Sequence, residues 1–194
     1  MLNQCQYVLD HSFFHLRIRA LEIQTDITRI LRTEDVVELT DLLCRNRSFL
    51  SPWDPERDDD FFTVTKQHDI ARASLDTYSD GSMVPLVITD AKGTIVGRLN
   101  INGIVRGAFQ SAAIGYWVSE RVNGLGFASA AVAEAIKIST SLGLHRLQAE
   151  TLIHNKSSQR VLEKNGFTLY GLAPKYLKIA GTWQDHLLFQ RINE

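Results

Sequence analysis

The sequence predicts one mixed α/β (α+β) domain, built on a mostly antiparallel sheet of about seven strands with helices on both faces. Short runs of β-branched and aromatic residues alternate along the chain with longer segments of helical period. The 194 residues are enough for one self-sufficient core, and no repeat, low-complexity tract or linker divides them. We therefore expect a single domain over residues 21–194, preceded by an N-terminal extension, residues 1–20, of unassigned role.

The composition narrows the class of protein. Hydrophobic residues make up 44% of the chain and charged residues 22%, with a formal net charge of −1, as in ordinary globular proteins. That charge gives no reason to expect direct nucleic-acid binding or attachment to an anionic membrane. Cys5 and Cys44 form no Cys-x-x-Cys pair, so neither a metal site nor a disulfide framework is indicated. No signal peptide or apolar run of roughly 18 residues is recognisable, so we expect a cytoplasmic protein.

The first half of the chain predicts a strand, two helices and an antiparallel meander. Leu21–Leu31 contains the strand. Thr33 is a suitable N-cap for a helix ending near Asn46, because Glu34 and Asp35 favour its first turn. The remaining elements of this half are a loop at 51–60, a second helix at 61–78, strands at 83–90 and 94–102 around a turn at Gly93, and a turn at 106–108.

A strand, a glycine-bearing turn and a helix in the middle of the chain predict an anion site. Ala113–Val118 is β-branched and aromatic, and apolar residues recur with helical period after Gly126. The first amides of a helix lack internal partners, and the helix dipole is positive there. A glycine has no Cβ, so an anion can approach the main chain closely. A phosphate or pyrophosphate site at 121–128 is predicted, although the glycines alone also fit a tight turn with close helix–sheet packing.

Two better-known phosphate loops do not match this stretch. A Walker loop needs Gly-Lys followed by Ser or Thr, which does not occur in the sequence. Ser129 stands where a dinucleotide fingerprint needs a third glycine or alanine. Nicotinamide binding is therefore not expected.

The second half of the chain predicts one crossover unit and a final hairpin. His145–Leu152 is a strand that should run parallel to Ala113–Val118. Asn155 opens the next helix and Gly166 closes it. The elements after the crossover are a helix at 156–165 and strands at 168–170, 176–179 and 183–192, with a turn at 180–181.

Several blocks resemble the RimJ/RimL branch of the GNAT superfamily of acetyl-CoA-dependent N-acetyltransferases. Arg121-Val-Asn-Gly124-Leu-Gly126 matches the Arg/Gln-x-x-Gly-x-Gly/Ala pyrophosphate signature of that superfamily. The other blocks, in the expected order, are Asn46–Trp53, Val105–Phe109, His154–Ser158, Val161–Phe167 and Gly181–His186. The resemblance covers roughly residues 21–192 and implies the GNAT fold, in which a central splay separates two parallel strands. It also implies acetyl-CoA as the cofactor and protein N-termini, notably of ribosomal proteins, as acceptors.

The resemblance assigns roles to named residues. It implies three groups of contacts with acetyl-CoA: Tyr116, Trp117 and Val118 beside the pantetheine and thioester; Arg121, Val122, Asn123, Gly124, Leu125, Gly126, Phe127 and Ala128 around the pyrophosphate; and Asn155 and Ser158 near the pantetheine and sulfur. The Val118 amide is the candidate for stabilising oxygen charge, and Ser158 for protonating the leaving thiolate. Asn155 is equally well explained as the N-cap of its helix.

Fewer residues are candidates for contact with the acceptor amine than for contact with acetyl-CoA. Phe49, Trp53, Arg106 and Tyr170 are the candidates for acceptor binding. For Trp53 the alternative is a local packing anchor, and for Arg106 an exposed turn arginine.

The chemistry expected is direct attack of a neutral amine on the thioester. Cys44 lies in a predicted helix away from the motifs, and no Gly-x-Ser-x-Gly elbow occurs. Tyr170 occupies the position where relatives carry a glutamate base, and a tyrosine hydroxyl holds its proton at neutral pH. Glu150, on the strand leading to Asn155, is the nearest charged alternative base, although the alternation of side chains along the strand leaves open whether it faces the cleft. An α-amine has a pKa of about 8, so a useful fraction is already neutral.

Three functions stay open at this point. The first is acetylation of protein N-termini. The second is acetylation of a small amine such as an amino acid, polyamine or antibiotic. A closed pocket lined by Trp53 and Tyr170 would favour this second function, whereas an open groove would favour peptides. The third is a non-catalytic acetyl-CoA-binding module, which the tyrosine at position 170 keeps open. The sequence does not decide the oligomeric state, and a homodimer is compatible with it.

Overall fold

The fold is known from a computed structural model that describes residues 26–193. Its seven strands form one sheet in the order β1-β2-β3-β4-β5-β7-β6. The strands are β1 Thr28–Ile30, β2 Val84–Thr89, β3 Ile95–Val105, β4 Ser111–Val118, β5 Arg146–Leu152, β6 Thr168–Ile179 and β7 Thr182–Ile192. Only β4 and β5 pair in parallel within this described sheet. The mixed, mostly antiparallel sheet predicted from the sequence is confirmed.

Five α-helices are described, and the two longest pack against opposite faces of the sheet. The helices are α1 Val36–Arg45, α2 Arg47–Leu50, α3 Val64–Ser79, α4 Phe127–Ser141 and α5 Lys156–Lys164. Asn155 caps α5, since its side chain accepts a hydrogen bond from the Ser158 amide at 3.1 Å. Gly166, with φ of 75°, follows the end of α5 as predicted.

Side chains on the two faces of the sheet belong to two cores. In β2, Leu86 and Ile88 pack in the core beneath α4 and α5, whereas Val87 between them packs in the core beneath α1 and α3. Alternate residues of a strand point to opposite faces. The helices therefore cover both faces of the sheet.

Three predicted boundaries are wrong, each for a local reason. Thr33 does not cap α1, because 33–35 is a 3-10 turn and the Asp35 carboxylate accepts the Arg32 amide instead, at 2.8 Å. The second long helix begins three residues late, at Val64, where Thr63 caps it through the Lys66 amide.

The third wrong boundary concerns β6, which is one continuous strand rather than two pieces. It lies at the edge of the sheet, and its pairing with β7 shifts register between Ala173 and Leu177, so a bulge accommodates Pro174 without breaking the strand. The extension 1–20 and the start of the predicted first strand lie outside the described residues.

Neither a membrane-spanning helix nor a metal-binding cluster occurs among residues 26–193. No helix in this range combines the length and the hydropathy needed to cross a bilayer. The same range holds no group of three or more His, Cys, Asp or Glu side chains placed to hold a metal ion.

Candidate active site

The central feature of the sheet is a gap between β4 and β5. These two strands pair only at their beginnings, and the last pair is Ala113 with Gln148. Beyond it β4 stays paired with β3 up to Val118, while β5 stays paired with β7 up to Leu152. The strands therefore splay apart, as the resemblance implied, and the second half of β4 has one unpaired edge.

Backbone groups of Tyr116 and Val118 face this splay. The Ser119 amide donates to the Val96 carbonyl on the β3 side at 2.7 Å. In an antiparallel pair the residues alternate between bonding the partner and pointing away from it. Since Ser119 bonds towards β3, Val118 and Tyr116 point their N–H and C=O groups towards β5. An extended chain with amide groups would find ladder partners there.

The turn before α4 forms a concave cradle of main-chain amides. Gly124 and Gly126 have φ of 77° and 93°, and a Cβ built on either meets no atom within 4 Å. The first hydrogen bond of α4 is donated by Ala130 to Gly126 at 3.0 Å, so the amides of Phe127–Ser129 have no carbonyl one turn earlier. This geometry fits a diphosphate, because amide donors and the positive end of a helix dipole converge on open space.

A hydrogen bond to the end of α1 holds the cradle in place. The Glu120 amide donates to the Asn46 side chain at 2.8 Å, and Asn46 is buried at the end of α1. Val122 anchors the turn in the core, whereas Leu125 at its tip is exposed. The Arg121 side chain is 68% exposed and lies 4.0 Å from Asp90. A long, exposed ion pair of this kind is weak, so turning the Arg121 side chain towards the cradle would cost little.

A small cavity connects the cradle to the splay. This cradle cavity, of about 180 Å³, is lined by Phe49, Trp53, Val118, Asn123, Ala128 and Ser158, among others. The amide donors of the cradle match the diphosphate of acetyl-CoA. The free strand edge at Tyr116 and Val118 matches its amide-bearing arm, and the cavity between them matches the thioester.

Tyr116 and Ser158 form a hydrogen-bonded pair at the inner end of the cradle cavity. The Tyr116 hydroxyl lies 2.9 Å from Ser158 Oγ. Burial raises the pKa of Tyr116 to about 12, against a smaller opposite effect of the Ser158 hydrogen bond. The Tyr116 hydroxyl therefore keeps its proton at neutral pH. The resemblance placed Tyr116 beside the cofactor, but nothing in the sequence joined it to Ser158.

A larger cavity opens at the splay and shares Trp53, Tyr116 and Ser158 with the cradle cavity. This splay cavity, of about 610 Å³, is lined by Trp53, Gly115, Trp117, Glu150, Leu152 and His186, among others. Burial raises the pKa of Glu150, and a hydrogen bond from its own backbone opposes the rise. The structure thus brings the candidate base Glu150 to the cleft.

His186 lies in the same wall, on the strand next to Glu150. It is 3% exposed, and its Nδ1 lies 3.0 Å from the Gln184 carbonyl. A carbonyl only accepts, so Nδ1 is the donor of this hydrogen bond. The Tyr176 ring contacts it at 5.6 Å between centroids. The Gly181–His186 block gave a signal for His186, but the sequence did not place it in the cavity.

The predicted acceptor residues are divided by the structure. Trp53 lines both cavities and its ring lies 5.5 Å from that of His154, whereas Phe49 lines the cradle cavity. Tyr170 is 44% exposed on β6, and its hydroxyl accepts a hydrogen bond from Gln148 at 2.7 Å rather than lining the splay cavity. Arg106 is not brought to the site, because it lies before β4 and donates to the Leu142 carbonyl at 2.8 Å, beyond the end of α4.

Comparison with known proteins agrees with this geometry. The family model described as an acetyltransferase (GNAT) domain matches residues 6–168. A probable N-acetyltransferase, YjcK of Bacillus subtilis, is 33% identical over 175 residues, which are 89% of this chain and 97% of YjcK. The [ribosomal protein uS5]-alanine N-acetyltransferase of Escherichia coli is 29% identical over 179 residues, 90% of this chain and 92% of that protein. The structure of Mycobacterium smegmatis RimJ in complex with CoA-disulfide has a TM-score of 0.82 and 34% identity, covering 85% of this chain and 80% of RimJ.

Proposed function

The chain belongs to the GNAT acetyltransferase family, and we propose that it transfers the acetyl group of acetyl-CoA by direct attack to the α-amine at the N-terminus of a protein. The reaction class follows from the family. The acceptor is the proposal, and it rests on the shape of the space beyond the splay.

One observation favours a peptide acceptor over a small amine. The splay cavity shares Leu50, Asp54 and Phe61 with an outer cavity of about 570 Å³ between the loop after α2 and the β6–β7 turn. Because they share these residues, the two cavities adjoin, and we take them together as the acceptor groove. A peptide could place its α-amine at the splay and its next residues in the outer cavity. The relative from E. coli is named as a [ribosomal protein uS5]-alanine N-acetyltransferase.

Acetyl-CoA supplies an activated acyl thioester, and the cradle and the free edge of β4 would hold it. We assign the diphosphate to the amides of 122–128 with Arg121, and the pantetheine to the edge at Tyr116 and Val118 beside Asn155. The N–H of Val118 faces the splay, where it would donate to the carbonyl oxygen as negative charge develops on it. Holding the thioester and the amine on facing sides of one gap supplies much of the acceleration.

Two protons have to move, and the site offers a group for each. Glu150 would take the proton from the acceptor ammonium, because its raised pKa makes it a stronger base than an ordinary carboxylate. The Tyr116 hydroxyl, alone or through Ser158, would donate to the leaving thiolate. All these residues come from one chain, and we expect the reaction to take place in the cytoplasm.

Thiol release from acetyl-CoA tests the proposal directly. The acceptors are peptides that begin with Ala, Ser or Met, compared at equal concentration with free amino acids, a polyamine and an aminoglycoside. The proposal predicts a higher kcat/KM for at least one peptide class than for every small amine. Preference for a small amine would contradict the protein acceptor. Acetyl-CoA binding by calorimetry without thiol release to any acceptor would contradict catalysis itself.

A further inference from the structure

A guanidinium without a carboxylate partner forms part of the wall of the splay cavity. Arg98, on β3 opposite Trp117, is largely buried and lines that cavity. Its hydrogen bonds go to neutral groups: Nη2 donates to the Ser74 hydroxyl at 3.1 Å and Nε to the Asn100 side-chain oxygen at 3.3 Å. Among residues 26–193, no Asp or Glu side chain lies within 4.0 Å of it.

This arrangement is costly for a residue that serves only the fold. Removing a charge from water without a paired charge is unfavourable, and burial lowers the pKa of Arg98 accordingly. An arginine stays protonated all the same. Arg29, on β1, shows the usual solution in this protein, since two of its nitrogens bond the Asp35 carboxylate at 2.7 and 2.8 Å. Arg98 has no such partner in the described chain, so a ligand is the natural source of one.

The neighbours of Arg98 make that wall rich in donors. The orientation of the Asn100 amide follows from its hydrogen bond, in which the side-chain oxygen accepts from Arg98 Nε. The NH₂ group of Asn100 is therefore available as a donor. Nη1 of Arg98 has no hydrogen bond to a described residue. A guanidinium fork beside an amide NH₂ matches a carboxylate, which accepts through two oxygens.

The opposite wall carries the opposite charge, and the space between the walls is open. Asn100 pairs with Gly115 of β4, and Glu150 lies across the splay on β5. Gly115 has no side chain, and a Cβ built there would meet only Asn102 Nδ2, at 3.8 Å. No ion pair joins Arg98 to Glu150, so both charges remain available in one cavity.

We propose that Arg98, with Asn100, binds a carboxylate of the acceptor, so that this enzyme selects amines that carry an acidic group nearby. The inference rests on the proposed function, because it takes the acceptor amine to lie at Glu150. The carboxylate could come from an acidic side chain in the first two residues of a peptide, or from the α-carboxyl of a free amino acid. The two sources share the chemistry and differ in the test.

Matched acceptor pairs that differ only in this charge provide the test. One arm compares peptides that begin Asp-Ala with Asn-Ala, and Ala-Glu with Ala-Gln; the other compares free amino acids with their amides. The proposal predicts that the wild-type kcat/KM favours the acid in at least one arm by about 10-fold or more, as expected for a charge-assisted hydrogen bond. The arm that shows the preference identifies the source. Equal kcat/KM within every pair would overturn the proposal without any variant.

Variants then locate the preference. Arg98→Met should bring the acid-to-amide ratio close to one, mainly through KM, and Arg98→Lys should keep part of it because the charge stays while the fork is lost. Ser74→Ala is the matched control, since it removes a hydrogen bond to Arg98 but not the charge, and should keep the ratio within about threefold. A wild-type ratio that survives in Arg98→Met would assign the preference elsewhere and overturn the proposal.

A binding measurement separates this inference from catalysis. Calorimetry of the acid and amide acceptors on the CoA-saturated protein should show the same preference in wild type and its loss in Arg98→Met. If no acceptor is acetylated but the acid still binds tighter, the proposed reaction fails and the carboxylate site stands. Thermal unfolding and CoA affinity of Arg98→Met check that the fold is intact. If Arg98 served only to join β3 to α3, this variant would unfold at a lower temperature with its acceptor ratio unchanged.

Discussion

At the scale of single residues, burial gives Glu150 and Tyr116 opposite tasks. The two side chains start from opposite faces of the sheet: Glu150 lines the splay cavity beside Trp117, whereas Tyr116 packs against the core beneath α4 and α5 and also lines that cavity. Burial raises the pKa of both groups. For Glu150 this makes a better proton acceptor, and for Tyr116 it keeps the hydroxyl protonated at neutral pH, as a weaker acid whose role rests on its position as a hydrogen-bond donor. One physical effect thus separates the base side from the acid side.

The pH dependence of turnover should report Glu150. The base form is lost as the pH falls through its pKa, and burial raises that value, so the acid limb of kcat should lie above the roughly pH 4.3 of an ordinary glutamate. Glu150→Gln should lower kcat about 100-fold near pH 7. The remaining rate should rise about tenfold per pH unit towards the acceptor's own pKa of about 8. Steady-state rates over the pH range check this; a Glu150→Gln profile like that of wild type would rule out the assignment.

The same substitution should stabilise the protein at neutral pH. The folded state holds the Glu150 proton more tightly than the unfolded chain does, because burial raises the pKa. Its stabilising contribution is therefore present at low pH and is lost as the pH rises through the folded-state pKa. Glu150→Gln should unfold at a higher temperature than wild type at pH 7.5, with the difference shrinking on acidification. Glu163→Gln, at an exposed position of α5, is the control and should show no such difference.

Tyr116 and Ser158 can be distinguished by removing one hydroxyl at a time. Tyr116→Phe should lower kcat more than Ser158→Ala, because we take the Tyr116 hydroxyl as the direct donor to the thiolate, whereas Ser158 relies on Tyr116 as its proton source. We expect about 30-fold for Tyr116→Phe and about threefold for Ser158→Ala. Single-turnover kinetics at saturating acetyl-CoA measure both. The reverse order would make Ser158 the principal donor.

Sequence reasoning recovered residues that lie in motifs and missed residues defined by burial. Ser158 and Asn155 belong to a recognisable block, and both lie beside the splay. Arg98 is an ordinary polar position of an alternating strand, and only the fold shows that no described carboxylate accompanies it. Arg106, in contrast, lies in a recognisable block, but it donates a hydrogen bond to the Leu142 carbonyl. This contact lies near the start of β4, where β4 is still paired with β5, and so away from the splay.

At the scale of elements, the start of α4 is the part that local sequence determines best. Gly124 and Gly126 adopt the positive φ that their residue type permits, and the helix follows directly. The unpaired edge of β4 could not be derived from residue pattern alone, because it depends on where β5 stops pairing, more than thirty residues later. This unpaired edge was predicted only from the resemblance to the GNAT superfamily. The continuous β6 was missed because Pro174 suggests a break unless the strand is known to be an edge.

The cradle can be tested by filling it. Gly126→Val should raise the apparent acetyl-CoA constant at least 10-fold, because the side chain enters the space into which the amides of α4 point. Gly107→Val is the matched control: Gly107 also has a positive φ, 71°, and open space for a Cβ, but lies in the turn between β3 and β4. It carries the same backbone strain and should leave the constant unchanged. If both substitutions raised the apparent acetyl-CoA constant equally, backbone strain rather than filling of the cradle would explain the effect.

At the scale of the whole molecule, the ligand should complete the sheet. The splay divides the sheet into β1–β4 and β5–β7, joined by three residue pairs between β4 and β5. A ligand that bonds the free edge of β4 and the start of α4 binds only the folded state. CoA at 100 times its Kd should therefore stabilise the protein by about 2.7 kcal/mol, or roughly 5–10 °C in the unfolding temperature at this size. Gly126→Val should lose most of this shift at the same CoA concentration.

Amide hydrogen exchange with and without CoA tests the central claim most directly. In the free protein the amides of Tyr116 and Val118 and those of Phe127–Ser129 lack ladder or helix partners and should exchange quickly, while Trp117, bonded to β3, is protected. Saturating CoA should protect both fast groups and leave Trp117 and the turn at Gly107 unchanged. Binding of CoA confirmed by calorimetry, with no new protection at β4 or at the start of α4, would contradict the account.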